Sequence, residues 1–164
     1  MNRRARRLEA LLTEIREEVL CWDSNHKGKR WESDFAAACR ERGLCVEEPQ
    51  GREDLRVNGL KVQCKHIDQV QKSGRIDITN RIPVKSNGGL RGYVTSECDV
   101  LALKHVDELF LVPSATLCDD NGIIQKSVYP SSLRRFLDYW EVFETGYEPP
   151  RVAVQNWLFD VEES

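Results

Sequence analysis

Apolar residues recur along the chain with two different periods, and the switch between them outlines the elements. Leu8, Leu11, Leu12, Ile15 and Val19 fall at helical spacing, so residues 3–20 are expected to form an amphipathic helix. "DSNHKGKR", residues 23–30, is polar with one glycine and is expected to be a linker. "WESDFAAACRERG" then places Phe35, Ala36 and Cys39 on one stripe and ends at Gly43, the pattern of a second helix with a glycine C-terminus.

After the second helix the period changes to two. "LCVEE" predicts a strand. "DLRVNGLKVQCK" alternates on both sides of Asn58-Gly59, the strongest short-range hairpin signal. A two-residue loop fixes the register: Val57 opposite Leu60, Arg56 opposite Lys61, Leu55 opposite Val62 and Asp54 opposite Gln63. "RIDITNRIPV" predicts a further strand, "KSNGGLRG" a glycine-rich loop, and "DVLALKHVDELFLVP" two strands around Val106-Asp107-Glu108. "PSSLRRFLDYWEVF" carries Leu133, Phe136, Leu137 and Trp140 at helical spacing and predicts a late helix. The tail "EPPRVAVQNWLFDVEES" predicts a short strand or arm with an acidic end, Trp157 being assigned, like Trp140, to a core or an interface. This order implies an α+β fold around a central sheet in place of a regular βαβ series.

Composition adds limits. At 164 residues with 40% hydrophobic content, one domain with one real core is expected. Its parts are an N-terminal helix and linker over 1–28, a core over 29–120, and a C-terminal helix and arm over 121–164. No apolar run is long enough to span a bilayer. Six cysteines without a C-x-x-C pair read as reduced, mostly buried thiols, which assigns the chain to the cytoplasm. Net charge is −3, yet basic residues outnumber acidic ones over 1–100 and the balance reverses over 101–164. A locally positive N-terminal part is what phosphate binding needs. Arg3 and Arg4 at the helix start read as a solvated basic end or as nucleic-acid contacts, and Arg56 and Lys61 on the hairpin, with Arg134 and Arg135 on the late helix, are candidates for phosphate contacts.

The hairpin carries the candidate chemistry. One face holds Leu55, Val57, Leu60, Val62 and Cys64; the other holds Asp54, Arg56, Lys61, Gln63 and Lys65. A carboxylate, an amide oxygen and an ammonium would thus converge. Oxygen ligands suit Mg²⁺, which takes few protein carboxylates and completes its shell with water and phosphate oxygens. A lysine beside it can orient a water or offset phosphate charge. A solvated polar face is the competing reading. Glu32 lies on the apolar stripe of the second helix and calls for a partner there. Its alternative role is to favour the positive end of that helix. Tyr93, Glu97 and Asp99 read as turn or cap residues, His66 as structural, and Asp77 as a neighbour that could face the site.

Glu32 in a helix, Asp54 at a hairpin start and Gln63-Cys64-Lys65 on the next strand together resemble the PD-(D/E)XK nuclease superfamily. The Q-x-K form is similar to that of group I intron-encoded homing endonucleases and their small bacterial relatives. The block "SGRIDITNRIPV…GLRGYVTSECDVLALKHVDELFLVPSATL" extends the resemblance over roughly residues 29 to 118. Two positions depart from it: Glu53, not proline, precedes Asp54, and Gln63 replaces a carboxylate. The resemblance implies a restriction-endonuclease-like α/β core, a central mixed sheet flanked by helices, with an extra N-terminal helix. It implies catalytic residues Glu32, Asp54, Gln63 and Lys65, with Asp54, the Cys64 carbonyl and Gln63 around Mg²⁺ or Mn²⁺. In that scheme Lys65 positions the attacking water, and Glu32 reaches the metal through water or anchors Lys65. The implied activity is Mg²⁺-dependent DNA endonuclease, leaving a 5′-phosphate and a 3′-hydroxyl. Its partners would be double-stranded or branched DNA and a second copy of the chain. A non-catalytic DNA-binding or assembly module on the same fold is the alternative.

Overall fold

The computed structural model describes residues 3–79, 82–83 and 90–144. The tail and the tip of the glycine-rich loop, with Trp157 and the expected C-terminal arm, lie outside them, as do the side chains of Arg3 and Arg4.

One helix, α1, runs from Arg3 to Glu41. The expected linker over 23–30 is therefore helical, and the two expected helices are one. The stretch contains no proline, and a lone glycine costs only about 1 kcal/mol in a helix. α1 ends where predicted. Gly43 takes φ +76°, its N–H reaches the Arg40 carbonyl at 2.9 Å, and the Leu44 N–H reaches the Cys39 carbonyl at 3.0 Å. These are the two bonds of a Schellman cap. Among the described residues no helix is long and apolar enough to cross a membrane.

The strands are β1 (Val46–Glu47), β2 (Leu55–Val57), β3 (Leu60–Ile67), β4 (Ile76–Asp77), β5 (Ile82–Pro83), β6 (Leu90–Arg91), β7 (Val100–His105), β8 (Glu108–Pro113) and β9 (Ser127–Val128). Five of them form a mixed sheet in the order β1-β2-β3-β7-β8. β3 and β7 are parallel; the other neighbours are antiparallel. The β2–β3 register is the one the Asn-Gly turn dictates, with Leu55, Arg56 and Val57 opposite Val62, Lys61 and Leu60. Both turn residues sit at positive φ, Asn58 at 50° and Gly59 at 81°. The expected single strand over 75–84 is two short ones. β4 pairs with β9, and β5 pairs with β6.

The sheet is buried on both faces. On one, Trp31, Phe35 and Cys39 of α1 pack on Val57, Val62, Val100, Ala102 and Leu111. On the other, Leu101, Leu103, Phe110 and Val112 pack on Ile76, Ile78, Ile124, Leu133 and Phe136. The late helix is instead two 3₁₀ segments, Pro130–Phe136 and Trp140–Phe143. Between them Leu137 bridges Phe110, the Asp138 N–H bonds the Leu109 carbonyl at 2.8 Å, and Asp138 turns to φ 48°. Leu133 and Phe136 serve one core face while Val142 and Phe143 serve the other. The chain rounds the β8 edge at this point, and a continuous helix could not reach both faces.

Candidate active site

The hairpin ladder runs one residue past β2, because the Asp54 N–H donates to the Val62 carbonyl at 2.9 Å. This fixes Asp54 beside Gln63 as the turn register requires. Asp54 Oδ2 accepts from Gln63 Nε2 at 2.6 Å and from the Cys64 main-chain N–H at 2.8 Å. Gln63 is 8% exposed, and its Oε1 is buried without a hydrogen-bond partner among the described residues. An orphaned amide oxygen beside a carboxylate is costly unless something positive satisfies it.

Burial pushes the Asp54 carboxyl up to about 6. The Cys64 N–H works against that rise, the nearby negative charge of Glu32 adds to it, and Lys29 opposes it. Lys29 escaped the sequence reading. Its ammonium holds Glu32 Oε2 at 3.0 Å, and this contact raises the lysine's pKa. An i,i+3 charge pair at the inward end of α1 was the available signal. Glu32, Lys29, Asp54, Gln63 and Cys64 thus form one cluster where α1 crosses the hairpin.

Lys65 follows Gln63 on the same face of β3, about 7 Å along the strand. It is half-buried, and burial lowers its pKa; its charged neighbours are Asp77, which opposes that shift, and Lys126, which adds to it. Lys65 and Asp77 line a cavity of about 330 Å³. Gln71 Nε2 holds Asp77 Oδ1 at 2.7 Å, and Lys126 lies 3.8 Å from Asp77 Oδ2. Asp54, Gln63 and Glu32 do not line this cavity, so the acid–amide pair and Lys65, expected to converge on one point, do not share it.

The other candidates sit in structural contacts. Arg56 Nε donates to Glu53 Oε1 at 2.7 Å, holding that buried carboxyl down at about 2. A Cβ on Gly51 would come within 2.7 Å of Glu53 Oε2, so the loop is shaped around this acid. Lys61 Nζ donates to the Ser96 carbonyl at 2.6 Å, and the Lys61 N–H bonds Asp99 Oδ2 at 2.8 Å, which joins the starts of β3 and β7. Glu97 gathers Arg91, the Val94 N–H and, at 3.7 Å, Arg52. These contacts match the turn and cap roles expected of Asp99 and Glu97. Arg134 contacts Glu108 and Arg135 lies over the Phe136 ring, at the β8 edge. That edge is three interstrand spacings from β2, roughly 14 Å. Trp140, expected in a core or an interface, is partly buried against the core, stacked on Phe35 at 5.9 Å under the Arg42 guanidinium. Among the described residues no group of three or more His, Cys, Asp or Glu side chains could hold a metal.

No family model and no curated protein matches the chain. Among solved structures it is similar to a bacterial homing endonuclease, I-Ssp6803I, with a TM-score of 0.52 and 18% identity over 73% of this chain and 91% of that one. At that identity the likeness is one of fold, and it agrees with the mixed sheet and flanking helix described above.

Proposed function

We propose that the chain is a divalent-metal-dependent DNA endonuclease of the PD-(D/E)XK type, working at Asp54, Gln63, Cys64, Lys65 and Glu32. The observation that carries this reading is the pairing of a half-buried Asp54, its carboxyl pushed up by burial, with an orphaned Gln63 oxygen. The fold likeness to a homing endonuclease supports it. The donors fit Mg²⁺ or Mn²⁺: one carboxylate, one amide oxygen and the Cys64 carbonyl are all hard oxygens, and both ions accept water and phosphate oxygens for the rest. To present Oε1, the Gln63 amide must turn over and release its Nε2 contact with Asp54.

When bound, such a metal polarises a phosphoryl oxygen and lowers the pKa of a coordinated water. Asp54, ionised, supplies the principal negative ligand. Lys65, half-buried at the rim of the cavity, orients the attacking water and faces the phosphate charge. Glu32 holds an outer water while Lys29 balances its charge. The substrate would be duplex or branched DNA. Cutting both strands would need two such sites, and hence a second copy.

A non-catalytic DNA-binding or assembly module is the second reading. Its assembly form is favoured by the commitment of Arg56, Lys61 and Arg134, the candidate DNA contacts, to partners within the chain. One experiment separates the two. Supercoiled plasmid and a four-way junction are incubated with protein and Mg²⁺ or Mn²⁺, beside Asp54→Ala and Lys65→Ala. Nicking that both changes abolish supports the nuclease. Salt-sensitive binding without nicking, indifferent to both changes, supports the module.

A further inference from the structure

The packed part of α1 begins near Lys27, which lies 3.9 Å from Asp68, and includes Trp31, Phe35 and Cys39. Before that point the described side chains of the helix are exposed, yet they are not all polar. Leu8, Leu12, Ile15, Val19 and Trp22 are 60%, 64%, 53%, 57% and 67% exposed, and Trp22 stacks on His26 at 5.2 Å. The spacing from 8 through 12, 15, 19 and 22 to 26 alternates four and three. That is a 3.5-residue repeat, the signature of a coiled-coil seam and not of a helix lying on a globular core. With Leu11, the exposed apolar stripe amounts to roughly 600 Å² per copy, more than a solitary soluble chain usually exposes. Two such stripes facing each other would bury about 1,200 Å², the threshold of a specific interface.

We infer that residues 8–22 form an antiparallel two-stranded coiled coil with a second copy of this chain, Leu12 of one layering on Ile15 of the other and Leu8 on Val19. The flanking charges select this arrangement. In this register Glu9 of each copy lies beside Arg16 of the other, giving two opposite-charge contacts. Sliding by one heptad either way sets Arg16 against Arg16 or Glu9 against Glu9. A parallel pairing sets Arg16 against Leu11. Leu11 flanks the seam beside the aliphatic stem of Glu18. At 1.5 Å per residue the two Lys27 positions would lie about 40 Å apart, at opposite ends of the rod. If the proposed nuclease holds, this contact joins two bodies acting at separate positions on DNA. The coiled coil itself does not depend on that reading.

Sedimentation equilibrium or light scattering of the full chain without DNA, at micromolar concentration, tests it. The expected mass is twice the 18.9 kDa of one chain, or a further multiple of two. Leu12→Asp with Ile15→Asp should halve it while leaving the thermal transition of the body in place, because these side chains make no core. Glu9→Arg and Arg16→Glu should each weaken association at low salt, by about three- to tenfold, and the double exchange should restore it. A monomeric wild type, or an assembly whose mass the Leu12/Ile15 change leaves unaltered, overturns the proposal. Dissociation by the seam variant without rescue by the charge exchange overturns the antiparallel register.

Discussion

Replacing Asp54 by asparagine should stabilise the metal-free protein at neutral pH. Asp54 is lifted from an ordinary 3.8 to about 6, chiefly because burial penalises its charge. At about 1.4 kcal/mol per pH unit, that is roughly 3 kcal/mol of folding free energy withheld when the group ionises. Solvent screening at the rim and loss of the charge-assisted part of the Cys64 bond reduce the gain from Asp54→Asn to about 1–2 kcal/mol. Because the folded pKa is raised, the native state binds the extra proton between the two values, so wild-type stability falls as pH rises from about 4 through about 6. The variant's advantage should therefore vanish below pH 4 and be complete above pH 6. Urea unfolding at pH 4.5 and 7.5 in chelator reads it directly. A divalent ion should reverse the order. At a hundred times its Kd, Mg²⁺ adds about 2.7 kcal/mol to the wild type, more than the variant's advantage, and it should add little to the variant. If Asp54→Asn is less stable than wild type at pH 7.5 in chelator, the carboxylate is stabilising where it stands, and the view of it as a ligand held ready at a cost is wrong.

Cleavage at subsaturating Mg²⁺ should fall about tenfold per pH unit below pH 6, as the proton competes for Asp54; rates between pH 5 and 8 check this. Gln63→Glu should destabilise the metal-free protein at pH 8 by about 2 kcal/mol, because it sets a second carboxylate 2.6 Å from the first, and should bind Mn²⁺ more tightly by calorimetry. Val106 is a β-branched residue at φ 55° in the β7–β8 turn, so Val106→Gly should raise stability by about 1 kcal/mol in denaturant melts.

What the sequence made legible follows from locality. The β2–β3 register, with Asp54 beside Gln63, rests on four adjacent residues and a period of two, and both travel with the segment. The β7–β8 pair was readable for the same reason, as was Gly43 ending α1. The rest depends on contacts far apart in sequence. Residues 23–30 look like a linker because they lack an apolar stripe, but a solvated helical rod needs none. Leu133, Phe136, Leu137 and Trp140 share a helical spacing, yet Leu137 is drawn to the β8 edge and the segment splits between two cores.

The same nonlocality decides what the hairpin's polar face can do. Alone, that face would be wet, and Asp54 and Gln63 would be ordinary surface residues. Parallel pairing sets Gln63 beside Leu101 and Lys65 beside Leu103, both fully buried. This neighbourhood removes water from the Gln63 amide and raises the Asp54 carboxyl. α1 closes the other side with the Lys29–Glu32 pair. Asp54, Gln63 and Lys65 would thus be unremarkable on a two-stranded ribbon and reactive on a covered sheet. The physical step from hairpin to candidate site is desolvation, supplied by β7 and α1, which no short motif encodes.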